Sequence, residues 1–346
     1  MLTDIEKSEL CRYCHAVDYS NAFKNASFLV TGATGMIGTG IIKWLLYLNL
    51  LYDANITIYA SSRNLHLLET KSYDSYVKYV EFGNEIILKD KRIDYIIHAA
   101  APTDKNYYVK KPVETFRTIV DATENILELA RICHSSMVYL SSIEVYASPN
   151  QEEPISESYV GAVDSLNLRS SYPIGKKGAE FLCYAYATEY DVDVKIARLS
   201  SVQGLFQKYD DSKIYSELLR CLAEGKDMVM KSNGLTTKSF IYTLDAVSGL
   251  FVLLLKGEKG QAYNITNPDT VMSMKDLTLH LFEIFNNKLK LVFDINDKDS
   301  IAFLATMQCI QNVEKISKLG WCCLTGLDDI YRIDLKRFEG GGQNDS

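Results

Sequence analysis

The chain has 346 residues, 47% of them hydrophobic and 23% charged, with a net charge of -7. That length allows a large core and more than one average domain. The acidic balance excludes a nucleic-acid footprint, and no apolar run reaches the roughly eighteen residues of a membrane span.

Met1 to Lys7 is polar and carries no signal-peptide pattern. The expectation is a cytoplasmic protein with its eight cysteines as thiols, no bound metal and no membrane contact. Residues 2–16 read as a short helix, with Leu2, Ile5, Leu10 and Ala16 among polar residues. Within it, Cys11-Arg12-Tyr13-Cys14-His15 has the spacing of a c-type haem attachment. Haem attachment needs export, and zinc would need more ligands than Cys322-Cys323 adds. The segment therefore reads as one face of an amphipathic helix.

Phe28-Leu29-Val30-Thr31 is a buried-strand run, followed directly by Gly32-Ala33-Thr34-Gly35-Met36-Ile37-Gly38 and an apolar helix through Leu48. Strand, glycine turn and helix form the setting of a dinucleotide site. Gly32 permits the tight turn, Gly35 lets backbone approach a pyrophosphate, and Gly38 lets the helix pack close to the strand. The helix start offers unpaired N–H groups to phosphate.

Ile56 to Ala60 reads as the second strand. An NAD site usually ends this strand with Asp or Glu. Here Ser61-Ser62-Arg63-Asn64 follows, without a carboxylate and with an arginine suited to a 2′-phosphate, which favours NADP over NAD. Ile93 to His98 is a further strand, ending in Ala99-Ala100-Ala101, where small residues let a cofactor lie close; His98 reads as a strand-end core residue. Residues 112–134 form a long helix, and Met137 to Ser142 the next strand. Residues 147–170 read as loop. Pro173 suits the first turn of the helix that carries Tyr172 and Lys176. A further strand spans Asp193 to Leu199. This alternation predicts a doubly wound parallel sheet.

Beyond residue 200 the pattern changes. Helices are expected over 212–225, 239–256, 273–287 and 312–320, with short strands at Met228-Val229-Met230 and Tyr263-Asn264-Ile265.

Four linked features now stand together: the glycine turn, the triple alanine, Ser142 at a strand end, and Tyr172 one helical turn from Lys176. With Ser239 to Asp245 and the closing Lys318-Leu319-Gly320-Trp321, they resemble the extended short-chain dehydrogenase/reductase superfamily, in its nucleotide-sugar epimerase/dehydratase branch. The resemblance spans about residues 24 to 335, and Arg169 to Arg198 looks closest to UDP-glucuronate decarboxylase-type members. It implies a Rossmann-like α/β fold with a smaller C-terminal α/β substrate-binding domain. Tyr172 would be the general base, Lys176 would hold the nicotinamide ribose and favour the phenolate, and Ser142 would bind the reacting oxygen. The cofactor, NADP or NAD, would stay tightly bound and regenerate through a 4-keto sugar.

Departures from the resemblance shape the reaction expected. Dehydratases of the branch carry Asp-Glu after the Ser/Thr, whereas this chain has Ile143-Glu144. The base candidate Glu144 remains, and the acid is missing. Epimerisation needs neither carboxylate and is the leading reading; a keto-sugar reductase using NADPH, a dehydratase or decarboxylase, and a dinucleotide-sensing scaffold are the alternatives. In the substrate half, Ser201 replaces the branch's Asn and Lys238 its diphosphate-binding Arg. The expected substrate is a nucleotide-diphosphate sugar, in surface polysaccharide biosynthesis. The resemblance also implies a homodimer through the helices at 112–134 and 172–190, with Phe181, Tyr184 and Tyr186 available for contact.

The division expected is an N-terminal helical extension over 1–23, and a dinucleotide-binding domain over 24–199 plus about 237–258. A substrate domain takes 200–236 plus about 259–338, and a disordered tail 339–346.

Overall fold

Strand β1 (Ser27–Thr31) is buried along almost its whole length, because it has parallel neighbours on both sides. Around it, in a computed structural model describing residues 2–70, 75–149, 153–211, 213–286, 288–295 and 308–340, strands alternate with helices. The helix α1 (Asp4–Ala16) precedes β1. Then come α2 (Met36–Tyr52), β2 (Thr57–Ser62), α3 (Leu65–Thr70), β3 (Val77–Glu81), β4 (Tyr95–His98) and α4 (Lys105–Lys110). The layer continues with α5 (Pro112–Cys133), β5 (Ser136–Ser142), α6 (Ser171–Glu189) and β6 (Val194–Leu199).

From β1 the chain steps outward through β2 to β3, then returns to place β4 on the other side of β1. That reversal opens a crevice beyond the carboxyl ends of β1 and β4, the usual ligand position in such sheets. Helices α5 and α6 pack against each other, and Gly175 fits directly onto Ile119.

The remaining elements are β7 (Ser201–Gln203), α7 (Ile214–Glu224), β8 (Met228–Met230), β9 (Thr237–Lys238), β10 (Phe240–Tyr242), α8 (Thr243–Lys256) and β11 (Ala262–Ile265). They are followed by β12 (Met272–Ser273), α9 (Met274–Phe285), β13 (Leu291–Phe293), β14 (Gln308–Cys309), α10 (Glu314–Ser317) and α11 (Leu327–Gly340). Small sheets pair β7 with β10, β8 with β13, and β9 with β12 and β14.

Two expectations need correction. Residues 262–265, placed in the substrate half from sequence, pair in parallel with β6 and complete a seven-stranded main sheet, in the order β11-β6-β5-β4-β1-β2-β3. A short apolar strand does not announce which sheet it joins. Here α8 packs on β5 and β6 and delivers it to that edge. Of the tail expected over 339–346, residues 339 and 340 belong to α11, which runs to Gly340; residues 341–346 lie outside the described residues.

Helix α1 is integrated into the core. Thr3 and Glu6 form a capping box, and Glu6 also pairs with Lys43 of α2 at 2.5 Å. Tyr13 is fully buried, with its ring edge-on to Trp44 and its hydroxyl 2.7 Å from Thr325 Oγ1. The haem-like cysteines follow that packing: Cys14 is buried, and Cys11 Sγ lies 3.4 Å from His15 Nδ1. Among the described residues no cluster of three or more metal-ligating side chains occurs, and no helix is long and apolar enough to cross a membrane.

Candidate active site

The glycine turn is built for close approach. Gly32 has φ +67°, and a Cβ there would meet the Ala99 backbone at 2.8 Å. A Cβ on Gly38 would lie 2.3 Å from the Gly32 carbonyl oxygen. Gly35 caps α2 without any side-chain hydrogen bond, so the first amides of that helix, including those of Met36 and Ile37, remain free to meet an anion. A dinucleotide's pyrophosphate fits this cradle, which side chains would otherwise fill.

At the end of β2, the Thr34 and Ser62 hydroxyls are 3.3 Å apart, and the Asn64 amide donates to Ser62 Oγ at 3.2 Å. Arg63 is exposed. A carboxylate does reach this strand, though from elsewhere in the chain. Buried Glu85, after β3, accepts from Ser61 Oγ at 2.5 Å and from the Gly83 amide at 2.8 Å. It also lines a cavity of about 260 Å³ with Phe82, Gly83, Arg117 and Thr118. Across the crevice, Ala99, Ala100 and Ala101 follow β4, and the Ala100 amide donates to Thr31 Oγ1 at 3.2 Å. His98 Nδ1 is 2.7 Å from the same oxygen, and burial holds its imidazole neutral, down to about 3. It is a strand-end core residue.

Tyr172 and Lys176 lie in the first turns of α6, and both are buried. Ser142 ends β5, caps the following 3-10 turn by accepting from the Glu144 amide, and interacts with the Tyr172 hydroxyl. The Lys176 ammonium donates to the Leu140 carbonyl at 2.6 Å and lies 5.8 Å from the centre of the Tyr172 ring. Burial pushes this ammonium down to about 7, opposed by Glu180. The Tyr172 phenol stands above its ordinary value. Burial is the first cause and the Glu144 carboxylate the second, while Ser142 and Arg169 pull the other way. In the free protein the Lys176 ammonium is thus held by the Leu140 carbonyl.

The structure adds two residues that the sequence reading did not single out as site residues. Arg169, in the turn before α6, gives Nη2 to both oxygens of Glu144 at 2.8 Å. Tyr108 of α4 stacks on Tyr172, with centroids 4.6 Å apart and planes 11° from parallel. Arg169 had a local signal, a charge in the turn three residues before Tyr172. Tyr108 had none, being 64 positions away (172 minus 108). Glu144 is thus held by a side chain rather than by backbone, and Ile143 beside it is buried.

Ser201 and Lys238 lie on β7 and β9, in the smaller sheets. The Lys238 ammonium lies 6.0 Å from the Tyr215 ring and 5.8 Å from the Phe240 ring; Lys213 lies 5.7 Å from that same Tyr215 ring. On the outer face of α6, Phe181 is 67% and Tyr184 56% exposed, while Tyr186 is half-buried against Tyr190.

Residues 28–266 match the model of the NAD dependent epimerase/dehydratase family. The chain is 31% identical over 251 residues to UDP-glucuronic acid decarboxylase 6 of Arabidopsis thaliana, covering 70% of each protein. Its fold is similar to the UDP-glucose 4-epimerase of Thermotoga maritima solved with UDP-glucose. There the TM-score is 0.77 and the identity 18%, over 91% of this chain and 99% of that one. It is also similar to the UDP-glucuronic acid 4-epimerase of Bacillus cereus solved with UDP-glucuronic acid and NAD. That match has a TM-score of 0.75 and 20% identity, over 91% and 99% of the two chains.

Proposed function

The chain belongs to the NAD dependent epimerase/dehydratase family, and from that premise we propose that it epimerises a nucleotide-activated sugar at the fourth carbon through transient oxidation to a ketone. One observation carries the choice of reaction. Ser142, Tyr172 and Lys176 gather at the end of β5, while the carboxylate beside them, Glu144, is tied to Arg169. A tied carboxylate next to a buried isoleucine is poorly arranged for eliminating water. Epimerisation needs only one acid/base group and a sugar free to turn.

Tyr172 takes the proton from the sugar's fourth hydroxyl and later returns it, help worth about a hundred- to ten-thousandfold. Ser142 hydrogen-bonds the same oxygen and relays the proton. Lys176 holds the nicotinamide ribose. When bound, the nicotinamide supplies the acceptor, and then the donor, of the hydride exchanged with the fourth carbon. The amides of Met36, Ile37 and Gly38 take the pyrophosphate with Thr34, and Gly32 and Gly35 let the backbone come close to it. Ala99, Ala100 and Ala101 form the wall behind the cofactor, and the cavity beside Phe82 suits the adenine. Ser62, Arg63 and Asn64 face the adenosine ribose, where exposed Arg63 favours a 2′-phosphate and so NADP. Lys238 pairs with the substrate diphosphate as a point charge, and Ser201 lines the same half. Two copies pair through α5 and α6.

A second reading has its own support. The decarboxylase relative makes a 4-keto uronic acid losing carbon dioxide the alternative outcome of the same oxidation. Incubation with UDP-glucose, UDP-galactose and UDP-glucuronic acid, read by NMR, separates the two. A fourth-carbon epimer supports the proposal. A pentose with released carbon dioxide favours the second reading. Stoichiometric consumption of added NADPH would make the protein a reductase, and full activity in Tyr172→Phe would remove the assigned base.

A further inference from the structure

Arg169 is 2% exposed, yet among the described residues its Nε and Nη1 have no hydrogen-bond partner. Buried unpaired donors are costly, so stability alone does not explain an arginine here. What its guanidinium does touch is specific. Nη2 binds both oxygens of Glu144, and the guanidinium carbon lies 4.8 Å over the ring of Tyr108. That ring in turn stacks on Tyr172. Ser171, between Arg169 and Tyr172, donates its hydroxyl to the Tyr108 carbonyl at 3.2 Å and fixes the turn to α4.

The polar and charged groups around the phenol come from every element packed against it. Ser142 and Glu144 approach from the end of β5, Tyr139 from within β5, Tyr108 from α4, Arg169 from the preceding turn, and Lys176 from α6 itself. Glu144 opposes ionisation of the phenol, and a cation close by favours it. Lys176 is committed to the Leu140 carbonyl.

We propose that Arg169 is a positioning residue that fixes Glu144 and offsets its charge beside Tyr172, which makes it easier for Tyr172 to give up its proton. This rests on Tyr172 being the base proposed above. Glu144 and Arg169 thus form a pair whose balance sets the acidity of the phenol, and the Tyr108 ring keeps phenol and guanidinium in register.

The test needs no substrate. A trifluorotyrosine, more acidic than tyrosine, is installed at position 172 of the full chain, and its ionisation is followed by 19F NMR against pH. Arg169→Met should move the midpoint up by about one to three pH units. Glu144→Gln should move it down. The double variant should return towards the parent, and Arg169→Lys, which keeps the charge, should lie closer to the parent than Arg169→Met. An unmoved midpoint in Glu144→Gln overturns the proposal even where Arg169→Met fails to fold. So does a double variant displaced as far as Arg169→Met. The two readings fail separately: activity surviving in Tyr172→Phe removes the base, whereas an unmoved midpoint removes only the role of Arg169.

Discussion

The buried Lys176 ammonium donates to the Leu140 carbonyl at 2.6 Å. The carbonyl is one residue short of Ser141-Ser142, so the lysine anchors the end of β5 that presents Ser142. Burying an ammonium with one neutral acceptor disfavours its charged form. That cost gives the site a pH signature.

Lys176 titrates near 7 when folded and has an ordinary value of 10.5. Between those values the unfolded chain binds more protons, so stability rises with pH through that window. Below about 7 both states are protonated and the burial cost is fully present. Lys176→Met should therefore stabilise the protein more at pH 6 than at pH 10, read by urea unfolding at both. An equal gain at the two pH values would mean that the ammonium is not desolvated.

Ala147 ends the 3-10 turn that carries Glu144, with φ +60° and ψ -126°. Side chains oppose that backbone region, and glycine adopts it freely. Ala147→Gly should stabilise by about 1 kcal/mol, seen as a higher melting temperature. A loss of stability would show that the turn does not hold this conformation.

The proposed preference for NADP rests on Arg63. Titrating the purified protein with NADPH and NADH by fluorescence should show tighter NADPH binding. In Arg63→Ala the difference should shrink by about tenfold or more, a loss of roughly 1.4 kcal/mol. Tighter NADH binding by the wild type would assign the ribose end of the site to NAD.

Phe181 and Tyr184 are exposed aromatics on α6. Phe181→Glu should convert a dimer into a monomer in light scattering at micromolar concentration, with its melting behaviour nearly intact. A wild type already monomeric at that concentration would remove the proposed pairing.

Several features could be read directly from the sequence because their causes are local. The glycine turn is set by which residues tolerate φ above zero and close backbone. The Tyr172 and Lys176 pair is set by the pitch of one helix. The alternation of strand and helix is set by apolar periodicity. Even α1 was visible, through Leu2, Ile5, Leu10 and Ala16 spaced among polar residues.

What only the tertiary structure decided concerns charges and edges. Glu85 reaches the end of β2 from beyond β3. The strand β11 joins β6 because α8 delivers it there. Lys176 turns to a carbonyl, and the guanidinium that binds Glu144 belongs to Arg169 and lies over the Tyr108 ring. A buried charge takes whichever partner packing brings within reach, and sequence spacing does not encode that distance. The proposed acid/base residue could therefore be picked out from the chain, while the charges packed around it came together only on folding.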